Sequence, residues 1–171
     1  VFSEFLVEAA DLDEGALTVA DPWETASGLA LAKARLVASR HPDALVIGGD
    51  TVVAFEFGPG RFEQLAKPRD VDDAEGMLAR LSGRSHVVIT GLALVGQGKE
   101  VAEADTTTVW FRDLDPEEIV AYVATGEPMD KAGAYAIQGG AAGFIEATEG
   151  SISNVIGLPL ELLARLVAEF S

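Results

Sequence analysis

In the stretch "ALVIGGDTVV", Ala44 to Val53, an aspartate stands between two apolar runs, with Gly48 and Gly49 before it and Thr51 after it. A buried carboxylate without a partner is costly, so Asp50 needs either a counter-charge or a task. An ionised carboxylate can take a proton from water or hold a divalent cation, and with a reference pKa of roughly 4 it is ready for both at neutral pH. Three lysines are placed to share such a site. Lys33 falls inside the apolar stripe of a helix formed by Ala26, Leu29, Ala30, Leu36 and Val37, at about 100° per residue, while Arg35 points away. Lys67 precedes Pro68 just ahead of a second helix, whose N-terminus favours an anion. Lys131 lies in the glycine-rich "MDKAGAYAIQGG", near Tyr135 and Gln138, and a glutamine amide in such a loop can read the edge of a base. Asp11, Asp13 and Glu14 form an acidic cluster from which one carboxylate could join Asp50 on a metal. Each residue also has an ordinary reading. Asp50 is then a turn aspartate, Lys33 snorkels to the core edge, Lys67 is a solvated loop lysine, and Gln138 is a surface amide.

Composition limits the alternatives. The 171-residue chain has no cysteine, which excludes thiolate catalysis, thiolate metal sites and disulfides, and two histidines are too few for a multi-histidine zinc centre. A metal here needs oxygen ligands, which suits Mg²⁺ or Mn²⁺. The net charge of -16 and the absence of a Lys/Arg run argue against nucleic acid as a partner. A small polyanion neutralised by a cation and a few lysines remains open. No apolar run reaches the roughly 18 residues needed to cross a bilayer, and no signal pattern opens the chain. The expectation is a cytoplasmic protein without a membrane partner. "GQGKE" and "GGAAG" lack the spacing and context of phosphate and dinucleotide loops.

The elements that must position these residues are legible from caps and periodicity. Asp21-Pro22-Trp23-Glu24 starts a helix that should run to about Arg40. "ALVIGGD" and "TVVAFEF" read as strand, break, strand, with Asp50 at the carboxyl end of the first, where α/β sheets place their ligands. "FGPGRFEQ" reads as a turn or exposed loop. A second helix is expected over Val71 to Leu81, then a hairpin from "HVVITGLALV" through Gly96-Gln97-Gly98 to "EVAEADTTTVWF". Asp115-Pro116-Glu117-Glu118 starts a helix ending at Gly126, and Pro159 opens a final helix that docks Leu162, Leu163, Leu166 and Phe170. This alternation predicts one α/β domain over residues 1–171 around a mixed sheet.

In this order, "GGDTVV", "AKP", "LSGRSHVVITG", "YVATGEPMDKAGAYAIQG" and "SNVIGLPL" resemble the Maf family of nucleoside triphosphate pyrophosphatases over nearly the whole chain. The resemblance implies a two-lobed α/β fold related to the inosine triphosphate pyrophosphatases, with a nucleotide in the cleft between lobes. It implies hydrolysis of a nucleoside triphosphate to monophosphate and pyrophosphate with a divalent metal. Asp50 matches the family's proposed proton acceptor, Thr51 and Gln138 match positions linked to substrate choice, and Lys33, Lys67 and Glu14 match charged active-site positions. "YAIQG" looks like the branch that takes dTTP and UTP. Homodimers are common in similar proteins. The family's Ser-x-Ser-Pro-Arg-Arg segment does not occur here, and the expectation is that it precedes Val1 in the native gene product. Ala66 stands where the family favours Gly before Lys-Pro, and the "FEFGPGRFEQ" loop is longer. A non-catalytic binding module and a purine-directed pyrophosphatase are the competing readings.

Overall fold

The computed structural model describes residues 4–170. Its centre is a five-stranded sheet in the order β2-β1-β3-β4-β5, built from β1 (Val46–Gly58), β2 (Arg61–Leu65), β3 (Ser85–Gly96), β4 (Lys99–Phe111) and β5 (Ile145–Glu149). Six α-helices accompany it: α1 (Glu14–Leu17), α2 (Pro22–Ala38), α3 (Val71–Leu81), α4 (Pro116–Val123), α5 (Ile152–Ile156) and α6 (Leu160–Phe170). Three 3₁₀ turns, Glu127–Asp130, Ala132–Ala134 and Gly140–Phe144, fill the glycine-rich stretch before β5.

The helix starts follow from their caps. Asp21 accepts from the N–H groups of Trp23 and Glu24, Asp70 from that of Asp73, and Asp115 with Glu118 closes a capping box. Pro22 and Pro116 open their helices, where no N–H is needed. The β3–β4 hairpin closes where Gly96 pairs with Lys99, because Gln97 and Gly98 both take positive φ (52° and 74°), as a tight two-residue turn requires.

Three expectations are corrected. The sheet is not mixed: β1 pairs antiparallel with β2 and β3, and β4 with β3 and β5. The crossover through α3 does connect strands that run the same way, β2 and β3, but β1 lies between them in the sheet, so they never pair. "FGPGRFEQ" is a turn at Pro59–Gly60 followed by strand β2, with the ladder register shifting between Glu56 and Gly58. Gly48-Gly49 is no break: β1 runs unbroken for 13 residues, and Asp50 sits inside it opposite Gly91.

The reason lies in packing. A Cβ at Gly48 would clash with the carbonyl oxygen of Ala30, and one at Gly91 with that of Ala26. The glycines let the backbone of α2 press directly onto β1 and β3 through the buried row Ala26, Ala30, Ala34, with Ala54, Ile89 and Ala93 beneath. Side chains alternate along a strand, so the other face of β3 carries His86, Val88, Thr90, Leu92 and Leu94. Val88 joins Phe111, Tyr135, Phe144 and the inner faces of α3 and α4 in one cluster. Leu92 and Leu94 join Leu162, Leu166 and Phe170 of α6 in another, with Leu163 partly buried beside them. Between the two clusters lies a polar seam at Thr90, where Asn154 of α5 is fully buried.

Candidate active site

One cavity of about 780 Å³ is lined by Glu14, Lys33, Asp50, Thr51, Lys67, Lys131 and Gln138, so the structure brings these seven residues to one place, while Asp11 and Asp13 of the acidic cluster are not part of its lining. That volume is in the usual range for a bound small molecule. It wraps around an open edge of β1. Strand β2 stops at Leu65, opposite Val53, and among the described residues nothing pairs with β1 on that side before Val53. Both faces of β1 therefore reach the cavity: Asp50 from the α2 side and Thr51 from the opposite one.

Asp50 Oδ1 accepts from Lys33 Nζ at 2.6 Å, and the same ammonium lies 2.6 Å from Glu14 Oε1. The glycine–alanine seam sets this approach, since Lys33 sits between the pressed turns at Ala30 and Ala34. Glu14 opens α1, whose N-cap Asp13 accepts from the Ala16 N–H. The Asp50 side chain is 11% exposed and that of Glu14 51%. Burial pushes the Asp50 carboxyl above its ordinary range, although Lys33 and Lys67 oppose the shift. Burial works against the Lys33 charge, but the bonds to Asp50 and Glu14 outweigh it and raise its pKa.

Lys67 approaches from the segment after β2. Lys131 pairs with Asp130 at 2.5 Å at the start of the segment that carries Gln138. The lining thus holds three ammonium groups and three carboxylates, Glu14, Asp50 and Asp130, a balanced patch within a chain of net charge -16. Among the described residues no group of three or more His, Cys, Asp or Glu converges as a metal cage. Two carboxylates meeting on one cation suit a Mg²⁺ or Mn²⁺ ion that takes its remaining ligands from water and phosphate oxygens, which is how Mg²⁺ is usually bound.

The wall around Gln138 is irregular and is tied down from behind. The Gly133 N–H donates to the Ala66 carbonyl, joining the Lys67 and Lys131 segments, and Gly133 has positive φ with no room for a Cβ against Val53. The Ala136 N–H donates to the Tyr122 hydroxyl oxygen at 3.3 Å, that hydroxyl donates to Glu127 at 2.8 Å, and Glu127 accepts from the Gly140 N–H at 3.1 Å. Tyr135, at the cavity wall, shares a 2.7 Å hydrogen bond with His86 Nε2. Burial holds the His86 pKa down to about 4, and its Nδ1 has no partner among the described residues.

Residues to which the sequence assigned no role also form the site. Tyr135 lines the cavity, as do Val155, Ile156 and Gly157 at the end of α5. The available signal was Gly157, a left-handed helix stop with φ of 106°, where an added Cβ would lie 3.3 Å from Thr51 Oγ1.

The model of the Maf-like protein family matches residues 1–170. A dTTP/UTP pyrophosphatase of Symbiobacterium thermophilum is 47% identical over 166 residues, covering 97% of this chain and 83% of the relative. One from Geotalea uraniireducens is 48% identical over 92% of this chain and 79% of its own length. Another, from Syntrophotalea carbinolica, is 50% identical over 96% of this chain and 76% of its own. With one family model spanning the strand that carries Asp50, the helix that carries Lys33 and the segment that carries Gln138, the chain belongs to the Maf family.

Proposed function

We propose that the protein hydrolyses dTTP and UTP, or modified pyrimidine analogues, to the nucleoside monophosphate and pyrophosphate. The observation that carries this reading is the Lys33 ammonium held between Asp50 and Glu14 in a cavity that also receives Lys67 and Lys131. The names of the relatives support the substrate class.

In this reading the triphosphate lies along the open edge of β1. Water attacks the α-phosphorus, forming a new P–O bond as the bond to the bridging oxygen breaks, and pyrophosphate leaves with the bridging electron pair. Asp50 takes the proton of the attacking water. Lys33 engages its Oδ1, while no donor among the described residues holds Oδ2, and burial moves the group towards the range in which a general base works well. Lys33 and Lys67 neutralise phosphate oxygens, and Lys131 binds the substrate next to Gln138, which with Thr51 reads the base. A divalent cation held by Asp50 and Glu14 would supply charge neutralisation at the phosphates. The two lobes of the fold are then the α3/α4 cluster and the α6 cluster, parted on one sheet face by the seam at Asn154. Residues 1–171 belong to one domain in this reading.

The test is pyrophosphate release from dTTP and UTP with Mg²⁺ or Mn²⁺. Asp50→Asn is expected to lower kcat by at least about a hundredfold at unchanged melting temperature. Undiminished turnover in that variant would remove Asp50 from the mechanism.

A further inference from the structure

Thr51 is the cavity-lining end of a buried chain of hydrogen bonds whose sense is fixed throughout. Thr51 Oγ1 lies 3.0 Å from Thr90 Oγ1. A hydroxyl has one proton to give, and Thr90 gives its own to the backbone carbonyl of Asn154 at 2.8 Å. Thr90 can therefore only accept from Thr51, and Thr51 must be the donor in their bond.

The partner groups leave no freedom to reverse this. The Asn154 amide donates to the Val88 carbonyl and to Thr107 Oγ1, each at 2.9 Å, and accepts from the Thr90 N–H at 3.1 Å. Thr107 in turn donates to the Ser151 carbonyl at 2.8 Å. Thr90, Thr107 and Asn154 are all fully buried, so bulk water does not offer a substitute acceptor.

With its proton committed inward, Thr51 offers the cavity lone pairs alone. We infer that Thr90, through this relay, makes Thr51 an obligate acceptor that selects a pyrimidine carrying an N3–H donor over one with a bare N3. Uracil and thymine carry that imide proton, whereas cytosine presents an acceptor at N3 and would leave two acceptors facing each other. The inference rests on the reading of Thr51 as a base contact and adds the reason for its choice. Thr90 does not line the cavity and acts as a positioning residue, whereas Thr51 touches the substrate.

The experiment compares kcat/KM for dTTP and dCTP in the wild type, Thr90→Val and Thr51→Val. The ratio between two nucleotides is insensitive to a general loss of active protein. Valine at position 90 keeps the shape and removes the acceptor, so the Thr51 proton becomes free to face the cavity. The expected result is a fall of roughly tenfold in the dTTP/dCTP ratio for Thr90→Val, through gain on dCTP as well as loss on dTTP. Thr51→Val is expected to lower the ratio through loss on dTTP alone, and Thr90→Ser, which restores the hydroxyl, to retain the wild-type ratio. An altered ratio in Thr51→Val with an unaltered one in Thr90→Val overturns the relay while leaving the base contact standing. An unaltered ratio in both overturns the base contact and the inference together. If Thr90→Val does not fold, Thr90→Cys, of similar shape but a weak acceptor, is read in the same way.

Discussion

The two ends of the cavity are built by different means. At the Asp50 end, Lys33 and Asp50 stand on a long helix and a long strand, and the backbone of that helix touches the sheet at Gly48 of β1 and Gly91 of β3, so main-chain contact brings the two elements together. At the Gln138 end, the backbone runs through 3₁₀ turns and left-handed residues such as Gly133 and Ala134, and side chains behind it, Tyr122, Glu127 and His86, hold it in place. Main-chain packing positions the Asp50–Lys33 pair, and replaceable side chains position the segment that carries Gln138. Precision in the first region comes from close packing of regular elements, while the second can be retuned by single substitutions that leave the sheet untouched.

Four substitutions or conditions test that contrast. The largest effect is expected at the regular end. Lys33→Met removes the ammonium from between two carboxylates and should lower kcat/KM for dTTP by about a hundredfold or more, with Mg²⁺ saturating. Activity within a few fold of wild type in steady-state assays would show that Lys33 is only a structural counter-ion. Next, Gly91→Ala should destabilise by about 1–3 kcal/mol in denaturant unfolding and reduce kcat, because its methyl would push α2 and Lys33 away from Asp50. A loss of stability with full kcat would show that the seam does not set the reacting distance.

At the irregular end, the His86 signature is pH-dependent. Its folded-state pKa, about 4, lies below the ordinary value of 6.5, so the unfolded chain binds more protons between these limits. Stability from the neutral imidazole is fully present above 6.5 and is lost as pH falls towards 4. Wild type should lose roughly 2 kcal/mol more than His86→Gln between pH 7 and pH 5 in urea unfolding. Parallel stability profiles would mean that His86 does not stay neutral in the fold. The smallest effect is expected from Tyr122→Phe, which keeps the ring against Phe144 but frees the Ala136 N–H and one side of Glu127. KM for dTTP should rise several-fold with kcat within about twofold, and amide exchange at residues 136–140 should quicken, a loss of about one hydrogen bond's worth of order. Unchanged exchange would show that the segment is held by its own turns.

The same division governs what the sequence revealed. Helices α2, α3 and α4 and the β3–β4 hairpin announce themselves through Asp-Pro starts, apolar period and a Gly-Gln-Gly turn, all local signals. Gly48-Gly49 misled because a glycine needed for a turn and one needed for a close helix are the same letter, and only the position of Ala30 separates them. The antiparallel sheet was hidden because a strand–helix–strand unit does not say whether a third strand will lie between its two. Asp50, Lys33, Glu14, Thr51, Lys67, Lys131 and Gln138 were found by residue type, by resemblance or by both, and they do share one cavity. The bonds that hold the site together, Thr90 to Asn154 and His86 to Tyr135, span 64 and 49 residues of chain, beyond any periodicity.

Because Asp50 and Thr51 are consecutive on one strand, they look out from opposite sides of it, and their separation is a single alternation of the pleat. A slip of β1 by one residue against β3 that set Asp50 opposite Thr90 would turn both to the other face, driving a carboxylate towards buried Asn154 and leaving only Gly49 before Lys33. On the proposed function, fidelity of strand pairing at Asp50–Gly91 and Thr51–Thr90 is thus a condition for turnover and for discrimination at once. A folding error too small to disturb helix content would silence both.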